Sequence, residues 1–507
     1  MADMTRRSFL EHTLMTATAG LAAASLSYGA EEKKGDDADT KNQPGEKTPN
    51  GERIRIAIIG LHGRDKDRKV GEGRGMAHLD GYTYDDRVEI AALCDVDEMH
   101  FAAGQEKLQS RGRPVAQTYQ DIRKLLEDKS IHAVSIATPN HWHALAGIWA
   151  MQAGKDVYVE KPVSHNVSEG RRLEQARVKY DRICQGGTQS RSNKATQQAI
   201  KYIHEGNIGK VLLARGLCYK RRDSIKHYED NSPPASLNYD LWQGPAQDRP
   251  FNENRYLYNW HWNWDYGNGD IGNQGVHQMD IARWALKKEH AVSCVGFGGR
   301  FGYKDDGNTP NTLTTIADYG DCKLLFETRG LPTKPFVDGG QGDKGIAIGD
   351  IIYGTEGFVA ISSDYGAAVA YDKSGKLVKK FKGGGSHFAN FISAVISRKQ
   401  SDLNCPILEG HYSAAACHLG NISYRLGEQE AIKPEPKIVA EDIDLSEAYK
   451  RYEDHLEANK LALEEMTQSV GPKVVFDSQT ETFGSNAKAN EFLTRDYRAP
   501  FIVPATL

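Results

Sequence analysis

Lys161 closes the run Asp156-Val-Tyr-Val-Glu160-Lys161-Pro162, in which a strand-like apolar stretch delivers a carboxylate, an ammonium and a strand-stopping proline in succession. In an open α/β sheet ligands bind at the carboxyl ends of the strands, so an amine placed there reaches a cofactor and a substrate together. A lysine so held can polarise a hydroxyl and relay its proton; the plainer alternative is a salt bridge with Glu160. His277, in Gly275-Val-His277-Gln-Met-Asp280, is the second proton-transfer candidate, because an ordinary histidine pKa of ~6.5 suits either direction of transfer; a structural histidine is the alternative. Gly60-Leu-His-Gly63-Arg64 follows a buried-looking strand, and glycines there let backbone approach a pyrophosphate at a helix N-terminus. It is not a clean G-x-G-x-x-G, since residues 65 to 73 stand as an insert before the helix start. Asp95 ends Val88-Glu-Ile-Ala-Ala-Leu-Cys-Asp95, where a carboxylate accepts ribose hydroxyls and repels a 2′-phosphate. Together these residues imply a dinucleotide, NAD over NADP. The competing readings are that Asp95 caps the next helix while Asp97 binds, and that Arg64, Lys66, Arg68 and Lys69 of the insert meet the extra phosphate of NADP.

The elements that must position these residues follow from period and length. IRIAIIG from Ile54, VEIAALCD, IHAVSIATP from Ile131 and DVYVEKP are apolar on both faces and separated by helical spacing, including Asp121 to Lys129 and His143 to Ala153 with Asn140 as N-cap. That pattern predicts a Rossmann-type, doubly wound parallel sheet over residues 53–187. Beyond it the texture changes to β-rich runs joined by glycine turns, such as Thr312 to Tyr319 and Cys322 to Thr328 across Gly320-Asp321. An α+β domain with a mainly antiparallel sheet is expected over 188–440, and 441–507 is an extension of undetermined packing. A formal charge of −4 with mixed signs offers no basic face, which argues against nucleic acid. Seven scattered cysteines without a C-x-x-C pair suggest neither a zinc cluster nor a disulfide framework.

IRIAIIG, the segment Thr138-Pro139-Asn140-His141-Trp142-His143 and the Glu160-Lys161-Pro162 strand end together resemble the Gfo/Idh/MocA family of nicotinamide-dependent sugar and polyol oxidoreductases. The resemblance covers most of residues 53 to 440. It implies nucleotide contacts from Gly60, Gly63, Arg64, Asp95, Thr138, Pro139, Asn140, His143, Glu160 and Lys161, with Lys161 and His277 catalytic. Relatives carry D-x-G-x-H-x-x-D where this chain has Asn273 to Asp280, so an amide stands in the acid's place; Asp270, Asp265 and His261 are near enough in sequence to substitute. Arg191, in Gly187-Thr-Gln-Ser-Arg191, is implied as a substrate contact or an interdomain ion pair. Trp260, Trp262 and Trp264 alternate at strand spacing, so a sugar could stack on one set of faces while His261 bonds its hydroxyls; a core role is the alternative. Substrate contacts are therefore expected from Arg191, His261, Trp262, Asp270, Asn273 and His277. The H-x-H of His141 and His143 matches the family's nicotinamide-side loop, and no metal is expected. His387, His411 and His418 are expected to be structural. The family also implies a homo-oligomer formed on the open face of the second sheet.

Residues 1–30 carry Thr5-Arg6-Arg7-Ser8-Phe9-Leu10 and an Ala-rich apolar run from Leu14 to Leu26, the pattern of a twin-arginine signal peptide too short for a permanent span. Residues 31–52 lack any large apolar side chain and are expected to be a disordered linker. The chain is thus expected to meet the twin-arginine export machinery and work in the periplasm. Its expected activity is hydride transfer from a sugar, glycoside or polyol hydroxyl to a tightly held nicotinamide. A redox-neutral glycosidase or epimerase and a non-catalytic, NAD-bound carbohydrate-binding protein are the rivals.

Overall fold

The computed structural model describes residues 51–62, 73–336, 345–362 and 366–507, so the expectations for the signal peptide, nearly all of the linker, Gly63, Arg64 and the insert lysines lie outside the described residues. Six strands, β1 (Ile54–Ile59), β2 (Val88–Cys94), β3 (Gln117–Tyr119), β4 (Ala133–Ile136), β5 (Asp156–Glu160) and β6 (Cys184–Gly187), form one sheet in the order β3-β2-β1-β4-β5-β6. All of its pairings are parallel. The order changes direction between β1 and β4, which opens a ligand crevice above the strand ends at that point. Alternation along the strands serves two cores. Ile56 and Ile58 face the helices Arg74–Thr83 and His100–Ser110, whereas Ala57 and Ile59 face Asn140–Gln152 and Val167–Tyr180. Each face is completed by a helix from much later in the chain: His387–Ser397 supplies Phe391 and Ile392 to the first, and Ile407–Arg425 supplies Ala414 to the second.

The second sheet holds eleven strands, β7 (Val211–Cys218), β8 (Ser293–Gly299), β9 (Thr312–Asp318), β10 (Lys323–Arg329), β11 (Ile348–Gly354), β12 (Gly357–Ser362), β13 (Ala367–Asp372), β14 (Leu377–Lys382), β15 (Glu428–Ala431), β16 (Thr467–Val470) and β17 (Val474–Val475). Among the described residues only β10 and β7 run parallel; the remaining pairs are antiparallel. One face packs on the helices Lys194–His204, Val276–Leu286 and Ile407–Arg425.

The other face carries Leu213, Phe297, Leu325 and Ile351, and helix Ile443–Ala458 lays Leu445, Tyr449, Tyr452 and Leu456 upon it. Beneath that helix Glu327 is fully buried and accepts from Arg329, Arg451 and Tyr219 at 2.8–2.9 Å. The sheet therefore continues into the extension, and residue 440 is not a structural boundary. The ground for expecting a second copy on this face is also removed where the helix lies, because the chain covers it itself. A smaller correction concerns helix Asn140–Gln152: Pro139 occupies the cap position, and the Asn140 side chain instead reaches Asn268 of the second domain at 3.2 Å.

Candidate active site at the domain seam

The crevice begins at the turn after β1. Gly60 has φ +85°, and a Cβ there would lie 2.8 Å from the Thr138 amide nitrogen, so the turn tolerates only glycine. Gly75, in the first turn of helix Arg74–Thr83, would place a Cβ 1.9 Å from the Gly60 carbonyl. Strand and helix thus touch backbone to backbone, with the helix N-terminus aimed at the crevice. That is the geometry a pyrophosphate needs, and the glycine that matters is Gly75, across the insert. The Thr138 hydroxyl is buried in this region without a protein partner, a donor ready for a ligand.

Asp95 is at the end of β2 as expected, but its carboxylate is used by the protein. Oδ2 accepts the amides of Leu61 (2.7 Å) and His62 (3.1 Å), and Oδ1 accepts Asp97 N (2.9 Å) and faces His100 Nδ1 at 3.2 Å. Burial alone would raise its pKa; His100 and these amides outweigh burial and hold it below the usual carboxylate value. Three amides and the neighbouring His100 engage the carboxylate, so Asp95 staples the nucleotide turn, a positioning role in addition to the ribose-reading one expected from the sequence. Asp97 is engaged as well, by the Tyr256 hydroxyl at 2.6 Å.

His143 stands between two carbonyls, Pro162 O at 2.6 Å from Nδ1 and Thr138 O at 2.7 Å from Nε2. Burial holds its pKa below the ordinary value, so the neutral ring donates to one carbonyl at a time while tying the strand ends of β4 and β5 together. His141 is likewise structural, facing Trp242 O at 3.0 Å.

Glu160 and Lys161 part company at the end of β5. Glu160 Oε1 accepts Gln189 Nε2 (2.7 Å), His78 Nε2 (2.9 Å) and Arg74 Nε (3.2 Å). Burial would raise its pKa, yet Arg74, His78 and Lys161 overcome burial and hold it well below the carboxylate range. Glu160 is thus the anchor of the strand end. Lys161 turns the other way, across the seam, where Nζ donates to the Asn273 carbonyl at 2.6 Å and approaches its Oδ1 at 3.4 Å. The expected alternative, a Glu160–Lys161 side-chain pair, is not what forms. Burial, with Arg74 and Arg222 adding repulsion, pulls the ammonium down to about 8 against the attraction of Glu160 and Asp270.

The facing wall comes from residues 222–277. Asp270 is buried and held by Arg222 through two bonds of 2.7 and 2.9 Å. Arg222 also donates to the Tyr258 hydroxyl at 3.0 Å and lies over the Trp262 ring. Asn273 Nδ2 is 3.4 Å from the same hydroxyl. Trp262 is buried beneath Arg222, and Asn259–Trp262 is a 3-10 turn in which Trp260 stacks on His261 at 3.5 Å. The three tryptophans therefore do not share a strand face; Asn259 and Asn263 bond locally, to Asn254 and to the Asp265 amide, and compete with strand pairing. Asp265 pairs with Arg249 at 3.1 Å toward the rim. His277 lies in the first turn of helix Val276–Leu286, and burial reinforced by Lys161 pushes it down to about 3, not the ordinary value expected from sequence. Burial, with Lys161 and Arg222 nearby, also keeps His261 neutral.

Arg191 does not face the crevice. It donates to Asp280 at 2.8 and 3.0 Å and to Glu409 at 3.0 Å, so it forms an ion pair, but one among residues of the second domain and not across the domain boundary. The site thus brings together Gly60, Thr138, Lys161, Asp270, Asn273, His277 and His261. Sequence reasoning missed Arg222, Tyr258 and the Arg74/His78 pair; the last had a signal, since residues four apart on one helix share a face and both meet Glu160.

Residues 54–188 match an oxidoreductase family defined by its NAD-binding Rossmann fold, Gfo/Idh/MocA, and residues 210–449 match the α/β C-terminal domain of the same family. The chain belongs to the Gfo/Idh/MocA oxidoreductases. Among curated relatives, a levoglucosan dehydrogenase of Pseudarthrobacter phenanthrenivorans is 30% identical over 175 residues, covering 34% of this chain and 38% of that protein. An alpha-N-acetylgalactosaminidase of Shewanella oneidensis is 27% identical over 218 residues, covering 42% of this chain and 45% of that protein. The chain thus spans less than half the length of these curated relatives. A solved inositol dehydrogenase homologue of Azotobacter vinelandii, complexed with NADH and myo-inositol, superposes with a TM-score of 0.54 at 16% identity, covering 74% of this chain and 96% of that one. That likeness concerns the fold.

Proposed function

We propose that this family member is an exported NAD-dependent dehydrogenase that removes hydride from a hydroxyl-bearing carbon of a sugar, glycoside or polyol. The observation that carries this reading is the placement of Lys161. Its amine is partly desolvated, crosses the seam and is held by a neutral carbonyl, so it is free to trade a proton near neutral pH. Gly60, the N-terminus of helix Arg74–Thr83 and Thr138 would hold the dinucleotide, and bound nicotinamide supplies a hydride acceptor beside Lys161. The chain's own residues handle the remaining charge. As the alcohol carbon loses hydride, its O–H proton passes to the neutral amine of Lys161, leaving a carbonyl and an ammonium. His277, kept neutral, accepts a hydrogen bond and orients the substrate, while Asp270 is fixed by Arg222 as a hydroxyl acceptor. The Tyr258 hydroxyl, which faces donors in Asn273 and Arg222, adds a polar contact where a carboxylate is missing.

The similarity to an alpha-N-acetylgalactosaminidase favours a second reading, in which the same hydride is returned after elimination or inversion at a neighbouring carbon, with no net oxidation. Export rests on Arg6-Arg7 and the apolar run that follows. The twin-arginine route carries folded proteins, so a chain exported with its nucleotide works where no pool replaces it, and retention of that nucleotide favours the closed cycle.

One experiment addresses both. Protein recovered from the periplasm without added nucleotide is denatured, its NAD(H) and NADP(H) are quantified per chain, and the native protein is incubated with a panel of sugars, glycosides and polyols. Near-stoichiometric NAD with turnover of one compound class supports the proposal. Protein without nucleotide that stays inert after NAD is added contradicts it.

A further inference from the structure

Neither family match extends past residue 449, yet the chain beyond it is well packed and touches both domains. On the second domain, β17 pairs with β8, and Phe476, Phe483 and Leu493 enter the core beneath the sheet. On the first, Phe501 packs against Trp142 with ring centroids 5.5 Å apart, and Val503 joins the same core. Between these anchors the segment makes two polar knots. Glu481 accepts His290 Nε2 and His411 Nε2, each at 2.7 Å, and Arg171 of the Rossmann side at 2.6 and 2.9 Å. The two histidines and the glutamate could suggest a metal site, with ligand atoms within 4.8 Å of one another. Arg171 covers both carboxylate oxygens, however, so the cluster already holds its cation and serves as a pin.

The second knot ties the segment that leaves β5 to the segment that leads into the facing wall. Arg495 Nη1 donates to the Asp265 carbonyl at 2.8 Å and stands 3.4 Å from His165 Nδ1. His165 follows Lys161 on the segment leaving β5, and Asp265 precedes Asn273 on the facing wall. Asn268 joins the same two segments, donating to His165 O at 2.9 Å and accepting from Asn140 at 3.2 Å. Tyr497, two residues beyond Arg495, donates to Glu169 at 3.1 Å on the Rossmann helix that follows. Arg498 adds a bond to the Gly244 carbonyl at 3.1 Å.

We propose that residues 471–503 are an interdomain clamp with Arg495 as its positioning residue, and that the clamp retains bound nucleotide by holding the segment after Lys161 and the segment before Asn273 in one arrangement. The proposal rests on the reading that the dinucleotide occupies the crevice between them. Widening the crevice separates His165 from Asp265, which breaks one of the two bonds of Arg495 and leaves its half-buried guanidinium with less compensation. Release of nucleotide is therefore coupled to breaking that knot.

The test uses full-length protein loaded with NAD, chased with excess unlabelled NAD, and the rate of release followed for wild type, Arg495→Ala and Arg495→Lys, with thermal melting to verify folding. Arg495→Ala is expected to release nucleotide about tenfold faster or more, the equivalent of one charge-assisted bond, and Arg495→Lys to recover most of the difference. If Arg495→Ala does not fold, Arg495→Gln, which keeps a donor and loses the charge, is measured in its place with the same expectation. A folded Ala or Gln variant that releases NAD at the wild-type rate overturns the clamp while leaving the nucleotide site standing. Wild-type protein that binds no NAD overturns the nucleotide reading and the clamp's role with it.

Discussion

Lys161 and Asn273 meet across the seam between the two domains, the ammonium donating to the asparagine backbone carbonyl at 2.6 Å. The amine therefore rests on a dipole and not on a full negative charge. An ammonium paired with a carboxylate is stabilised in its charged form, whereas one on a carbonyl in a buried site gives up its proton more readily. This single contact links the Rossmann strand that presents the lysine to the wall that receives the substrate.

The staple made by Asp95 gives a first expectation. Asp95→Asn retains size and loses the charge that holds Leu61 N, His62 N and His100, so the turn after β1 loosens. Unfolding stability should fall by about 2 kcal/mol, and binding of NAD and NADP should weaken in parallel. Because its folded pKa is depressed, the stability this carboxylate contributes is present above its unfolded value and is lost as pH falls through the folded one. Denaturant titrations and binding of both nucleotides check this; a loss confined to NAD would show that Asp95 also reads the ribose.

Arg191 gives a second. Arg191→Ala leaves Asp280 and Glu409 buried or half-buried with less compensation, and breaking a buried pair of this kind typically costs about 3–5 kcal/mol. The expected signature is a lower midpoint in denaturant with KM for the sugar changed little per folded molecule. A variant of normal stability with a raised KM would return Arg191 to the substrate site.

A third concerns the residue that orients substrate. His277→Asn should lower the single-turnover rate more than His261→Asn or Asp265→Asn, since His261 is stacked on Trp260 and Asp265 is paired at the rim. Asp270→Asn should also lower the rate, because it weakens the hydroxyl acceptor that Arg222 holds in place; its effect should be smaller than that of His277→Asn. Ranking the four rates decides the matter, and a larger fall for any of the other three would reassign the role.

Much of this architecture was legible in the chain. β1, β2, β4 and β5 are apolar on both faces because helices cover both, and that condition alone marks a parallel sheet. Lys161 was legible because it follows the carboxyl end of a parallel strand, the edge at which ligands of an open α/β sheet bind. The partners of Asp95 were not, because three of them are backbone amides, which every residue but proline carries. Arg222 and Tyr258 lie in irregular chain without a period, and only the folded wall brings them to Asp270 and Asn273. The extension was illegible for a related reason: Phe501-Ile502-Val503 is a short run between two prolines, too brief to show a period, and the rings that Phe501 meets, Trp142 and Trp149, are distant in sequence. Helix Ile443–Ala458, which begins near the end of the family match, covers the part of the second sheet's face over β9 and β10 with the chain's own residues.

The measurement closest to the central claim is the pH dependence of the single-turnover rate of nicotinamide reduction, in wild type and in Lys161→Met. If Lys161 accepts the hydroxyl proton, the wild-type rate rises with pH as the amine becomes neutral and levels off above about 8, with no step near the ordinary histidine value because His277 is already neutral. Lys161→Met should still bind nucleotide, lose that rise and fall by about 10²–10⁴-fold. A variant that keeps the same midpoint, or turns over at the wild-type rate, would contradict the assignment of Lys161 as the proton acceptor.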